Sequence, residues 1–242
     1  MNPLDILYTP VDVPGTPKVD FEALLDWMAE TEKISYESNY TTNRTDGKHK
    51  IKAFGKVYPW NIVYPRFNKV WKHDFDMLFP ELANFFLTAF PVDPNQIWSV
   101  VMLPTKSDFE GLGFWHADAE YGLRCYIENQ ETEDFLRIRP SIIPYEQKTM
   151  KELDIYADVD KLAQKKEYSA KLLSSNQVFY LNNIRAVHAV NVNKPGALRI
   201  ACIIHVTVND GKANEKLQEL IVRSAEKFSD YSILWTPPDQ ST

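Results

Sequence analysis

FYLNNIRAVHAVNVNKPGALRIACIIHV, residues 179–206, holds short runs rich in Val, Ile, Phe and Tyr that are cut by turn residues. Runs of this length and composition read as strands. QVFYLN (177–182), AVHAVNV (186–192) and ALRIACIIHVTV (197–208) are the predicted strands, and NKPG (193–196) is a turn that joins the last two as a hairpin. A tight loop centred near 193 and 194 places His188 opposite Arg199, on the same side of the sheet.

The same grammar extends upstream. IWSVVMLP (97–104), GLRCYIEN (122–129) and FLRIRPSII (135–143) are further short strands separated by turn residues, as in a sandwich or barrel. Three amphipathic helices flank them. VDFEALLDWMAETEK (19–33) carries Phe21, Leu24, Leu25 and Met28 at helical spacing, with Asp20 as N-cap. PELANFFLTAF (80–90) starts on Pro80 and aligns Leu82, Phe85, Phe86 and Ala89, and ANEKLQELIVRSAEKF (213–228) is the third helix. No linker or repeat divides the chain. The expected architecture is a single, mainly β domain over 1–242, a β-barrel or jelly roll braced by N-terminal and C-terminal α-helices. Residues 1–96 form a helical support region, 97–208 the jelly-roll core and 209–242 a C-terminal helix and tail. The polar, mixed segment 144–174 reads as an insertion over one mouth of the barrel.

With 242 residues, 44% hydrophobic and 25% charged, the composition is that of an ordinary soluble globular protein. The formal net charge of −6, with no dense run of Lys and Arg, disfavours nucleic-acid binding, which rests on clustered positive charge. MNPLDILYTPVDVPG lacks a basic start followed by an apolar core, so no secretory signal is expected there, and no apolar run is long enough to span a bilayer. Cys125 and Cys202 lie within predicted buried strands and make no disulfide framework, which suits a reducing cytoplasm.

FWHADAEYGLRCYIEN (114–129) supplies a second histidine. His116 and Asp118 are two apart, so on a strand they point the same way, and Arg124 and Tyr126 share their parity if no bulge intervenes. Two histidines and one carboxylate make the ligand set that holds non-haem Fe(II) with positions open. An arginine facing the same cavity can receive a carboxylate through two charge-assisted hydrogen bonds. A lone H-x-D is a common accident; adding His188 in a strand and Arg199 eleven residues later makes a constellation. Arg124 has a second reading, a strand-edge salt bridge with Glu120 or Glu128.

Other groups weigh less. His205 shares the parity of Arg199 but reads as a core histidine; His73 and Asp74 open a helix with Asp74 as an ordinary N-cap; His49 is a loop residue. Trp60, Tyr64, Phe67 and Trp71 read as packing outside the barrel, with Arg66 among them a candidate for a substrate carboxylate. Trp115 and Tyr121, beside the histidine motif, and Asn183 and Arg185, just before His188, are candidate substrate contacts.

His116-Ala117-Asp118, then His188, then Arg199 resembles the H-x-D…H…R signature of iron(II)/2-oxoglutarate-dependent dioxygenases. LRCYIEN (123–129) and the stretch 179–206 look more narrowly like the aspartyl/asparaginyl β-hydroxylase branch, which includes free-proline hydroxylases. The resemblance spans roughly residues 97–208 and implies a double-stranded β-helix of the cupin, jelly-roll kind. It further implies Fe(II) on His116, Asp118 and His188, and 2-oxoglutarate with its distal carboxylate on Arg199 and support from Arg124. The resemblance implies O2 as the other co-substrate, and hydroxylation of an amino acid, free or peptidyl, with release of succinate and CO2. Halogenating relatives carry a small residue where this chain has Asp118, which therefore favours hydroxylation and leaves desaturation or another oxidation open. The competing reading is a cupin-like metal protein that binds a small carboxylate, such as an isomerase or sensor, without oxidising it. A nucleic-acid demethylase is disfavoured by the acidic balance.

Overall fold

The computed structural model describes residues 1–31, 61–64, 71, 74–106, 110–112, 115–116, 121–127, 132–141, 163–182, 185–194, 198–206 and 215–236. Two antiparallel sheets dominate. The larger has the order β11-β1-β8-β5-β10-β3-β2, built from β1 (Ile6–Pro10), β2 (Asn61–Tyr64), β3 (Ile97–Lys106), β5 (Tyr121–Ile127), β8 (Phe179–Asn182), β10 (Leu198–Val206) and β11 (Ile233–Leu234). The smaller has the order β4-β9-β6-β7, from β4 (Gly111–Leu112), β6 (Leu136–Pro140), β7 (Tyr168–Ala170) and β9 (Ala186–Val192). From β3 to β10 the chain passes back and forth between the sheets, which is a jelly-roll-like arrangement.

Alternation along each strand decides what each face meets. Ile200, Cys202, Ile204 and Val206 of β10 join Val100 and Met102 of β3 and Leu123, Cys125 and Ile127 of β5 in one apolar cluster. That cluster also takes in Leu24, Trp27 and Met28 of α1 (Phe21–Thr31) and Phe75 of α2 (Phe75–Leu78). Leu82, Phe85 and Phe86 of α3 (Pro80–Thr88) and Leu217, Leu220, Ile221 and Ala225 of α4 (Glu215–Lys227) complete it. The helices from both ends of the chain thus brace one face of the larger sheet, as expected. The opposite face meets the smaller sheet through Tyr126, Phe179 and Leu181 against Phe135, Leu136, Ile138 and Ala186. Across that gap Tyr126 and Phe135 meet edge-on at 5.8 Å between centroids.

The expected hairpin is absent. β9 pairs with β6 and β4, whereas β10 pairs with β3 and β5, so His188 lies opposite Ile138 and Arg199 opposite Thr105. Residues 193–194 begin a crossing from one sheet to the other. Nearly every residue of β9 is buried, so its sequence lacks the alternation that would assign it a partner, and a turn signal alone cannot distinguish a hairpin from a crossing. Pro195 and Gly196 lie outside the described residues.

The N-terminal region is not only helical: β1 and β2 extend the larger sheet, and all five residues of β1 are buried. The expected insertion 144–174 also needs correction at its end. Ala163 bridges Ser141, and Tyr168–Ala170 is the edge strand of the smaller sheet. Three residues beside a basic patch are too few to show strand periodicity. Residues 144–162 lie outside the described part.

Asp20 caps α1 as predicted, its Oδ1 accepting the Ala23 N–H at 3.1 Å. Asp20→Ala should lower the urea-unfolding free energy by about 1 kcal/mol. Asp74 precedes α2 but is no ordinary cap: its backbone is left-handed (φ 57°, ψ 28°) and its carboxylate makes no capping bond. Caps of the usual kind need extended backbone, from which the side chain reaches the first-turn amides. His73, His49, Trp60, Arg66 and Phe67 lie outside the described residues. Trp71 stacks on Phe75 at 5.0 Å, consistent with packing outside the barrel. Cys125 and Cys202 face each other across β5 and β10 as fully buried free thiols. Burial, then the neighbouring Cys125, pushes the Cys202 thiol well above its ordinary pKa. No helix among the described residues is long and apolar enough to cross a membrane.

Candidate metal centre

His116 and His188 are brought face to face. The two residues form an antiparallel bridge, with His116 N–H donating to His188 O at 2.9 Å and His188 N–H to His116 O at 2.8 Å. Directly opposed residues project to one face of a sheet, and the ring centroids are 4.2 Å apart. That face is the inner one, because Ile138, opposite His188 on the other side, belongs to the cluster between the sheets.

The tautomer of His188 follows from its neighbour. Nδ1 lies 3.2 Å from the Ala186 carbonyl oxygen, and a carbonyl can only accept. Nδ1 therefore carries the hydrogen and, in the neutral ring, Nε2 carries the lone pair. Nε2 is buried, and His188 as a whole is 0% exposed. A histidine oriented through Nδ1–H to a carbonyl, with Nε2 inward and a second imidazole beside it, is the donor chemistry of a transition-metal site. Among the described residues no three His, Cys, Asp or Glu side chains gather; Asp118, the third donor expected, lies outside them.

Arg199 and Arg124 face the same interior from the larger sheet. Arg199 is only 8% exposed, and its guanidinium lies 5.3 Å from the centre of the Tyr126 ring. Arg124 shares strand parity with Tyr126, and its Nε is buried. Arg124 is opposite Ile203, four residues along β10 from Arg199, so their backbones are about 13 Å apart. The Arg185 N–H donates to Asn182 O, tying the end of β8 to the start of β9. His188 is two residues in from that end, and Arg124, opposite Phe179, is three. Arg124 thus sits near the level of the imidazole pair, and Arg199 lies deeper. An extended arginine side chain plus a short dicarboxylic acid spans such a gap.

The remaining candidates divide. Trp115 is covered by Arg139, whose guanidinium carbon is 4.1 Å from the ring centre. Arg139 alternates with buried Ile138, so this stack belongs to the outer face of the smaller sheet. Arg185 pairs with Asp5 at 2.8 Å and lies 4.6 Å over the Trp235 ring. Tyr121 begins β5 opposite Asn182, at the end of the sandwich where His188 lies. Asn183 is outside the described residues. His205 is half-buried, opposite Gly122, with the inward parity of Arg199.

Two structural features were not anticipated from the sequence. One is the Ala186 carbonyl, which no side-chain pattern reports. The other is Tyr8, fully buried between the sheets, whose hydroxyl donates to Lys171 O at 2.6 Å. Burial, then Tyr126, holds its phenol well above the ordinary tyrosine value. The apolar run ILYTP was its available signal.

No family model matches this chain, and no curated protein matches it by sequence. Among solved structures, it is similar to SnoK, a non-heme alpha-ketoglutarate-dependent carbocyclase from nogalamycin biosynthesis, at 12% identity and TM-score 0.42, covering 85% of this chain and 81% of that one. It is also similar to HygX from Streptomyces hygroscopicus, solved with nickel, 2-oxoglutarate and hygromycin B, at 12% identity and TM-score 0.36, covering 88% and 90% of the two chains. Likeness this loose assigns neither an activity nor a substrate.

Proposed function

We propose that this chain is an Fe(II)- and 2-oxoglutarate-dependent oxygenase that hydroxylates an unactivated C–H bond of an amino acid, free or peptidyl, releasing succinate and CO2. The observation that carries this reading is the inward-facing His116–His188 pair, with His188 oriented by the Ala186 carbonyl, above a buried Arg199. His116, His188 and Asp118 are the residues that would hold the iron. When bound, iron supplies the activation of O2 that couples oxidation of 2-oxoglutarate to oxidation of the substrate.

The protein's own residues have separate tasks. Ala186 holds the His188 tautomer, so that Nε2 is a donor without losing a proton. Arg199 offers a planar fork for the distal carboxylate, and the Tyr126 ring beside it limits the directions that fork can take. Arg124, near the level of the imidazoles, adds positive charge on the co-substrate's side of the cavity. The apolar wall of Tyr126, Phe135, Phe179 and Leu181 excludes water, which strengthens each of these polar interactions. Tyr121 and Asn183 are the proposed substrate contacts.

The test is O2-dependent succinate release in the presence of Fe(II), 2-oxoglutarate and a panel of free amino acids and short peptides, followed by NMR. At least one compound should raise succinate above the substrate-free rate, and Asp118→Ala should lose that increment. Turnover that survives in Asp118→Ala counts against the ligand set. Tight metal binding with no O2 consumption under any condition would favour the carboxylate-binding, non-oxidising reading.

A further inference from the structure

We propose that Arg139 is a positioning residue for the metal centre, acting from the outer face of the smaller sheet through Trp115 on His116; this rests on the reading of His116 and His188 as metal ligands. Among the described residues His116 is joined to β9 by an isolated bridge, whose two backbone hydrogen bonds set its register but do not by themselves set the tilt of its ring. The adjacent Trp115 lies on the other face of the same short segment. Its ring is seated under the Arg139 guanidinium at 4.1 Å, a cation–π contact. Arg139 is itself held: Nε and Nη2 donate to Glu167 Oε2 at 3.3 and 3.2 Å, and its backbone position is opposite Val187, the neighbour of His188. Arg139 therefore connects the strand segments of both histidines from behind. Arg137 provides an internal contrast. It shares the outer face and reaches Glu167 at 3.5 Å and Asp134 at 2.6 Å, and its backbone is opposite Ala189, on the far side of His188 from Val187. If the network matters only as surface electrostatics, the two arginines are equivalent.

The experiment titrates the full-length, metal-free protein with Co(II), reading the dissociation constant and the shape of the visible d–d bands, with thermal unfolding of the metal-free protein alongside. Arg139→Met should weaken Co(II) binding by about tenfold or more and change the band shape, the range seen when groups that orient metal ligands are removed. Arg139→Lys, which keeps a cation over the ring, should recover much of both. Arg137→Met should leave both readouts at the wild-type value. Equal losses in Arg137→Met and Arg139→Met, or a wild-type spectrum and affinity in Arg139→Met, overturn the positioning role. Failure of the wild type itself to bind Co(II), or binding that His188→Ala leaves intact, instead overturns the metal-centre reading on which it rests.

Discussion

A His188→Ala protein titrated anaerobically with Fe(II) and 2-oxoglutarate will show no visible metal-to-ligand charge-transfer band at concentrations that saturate the wild type. The band requires a keto acid chelated to the metal, and so requires the metal to be held. Losing a partner that merely orients a ligand costs 10–100-fold in affinity, so losing the ligand should cost more than about 100-fold. His188 is fully buried and lines the space between the sheets, so its truncation also removes packing volume. His188→Gln, closer in volume, separates the two effects: it should keep the thermal unfolding of the metal-free protein and still lose the band. A full band in either variant would remove His188 from the ligand set.

The second large effect is on Arg199. Arg199→Met should raise the KM for 2-oxoglutarate by on the order of a few hundredfold, with a smaller change in substrate KM. Two charge-assisted hydrogen bonds to a carboxylate contribute roughly 3–4 kcal/mol, and each 1.4 kcal/mol is a factor of ten. Arg199→Lys should fall between, because an ammonium keeps the charge but not the planar fork. Stability should change little in Arg199→Met, since the substitution removes a nearly buried cation and leaves an apolar chain against Tyr126. Steady-state succinate formation against co-substrate concentration measures this directly. An unchanged KM would place the distal carboxylate elsewhere.

The legible parts of this chain were those whose physics is local. Asp20 before an amphipathic run identifies a capped helix, because the capping bond spans three residues. The strand AVHAVNV was legible to its ends, 186–192, because β-branched residues between turn residues leave few alternatives. β7 was not, because three residues carry no period, and neither was β1, whose partners are residues 179–181 and 233–234.

For the site, the difference between local and distant information has a sharper form. The identities of His116, His188, Arg124 and Arg199, and with them the lone pairs of two imidazoles and the N–H forks of two guanidiniums, are properties of the sequence alone. The inward direction of Arg199 is not, because it follows from Ile200, Cys202 and Ile204, which alternate with it and pack against the helices. Which strands pair is not such a property. The sequence pointed to a hairpin that set His188 against Arg199, yet the two lie in different sheets, with His188 bridged instead to His116, seventy-two residues earlier. A buried strand can satisfy its backbone with any suitable neighbour, and only the closure of both sheets around one apolar interior selects among them. That closure alone decided which histidine faces which, that the Ala186 carbonyl sets the His188 tautomer, and that Arg139 stands behind Trp115.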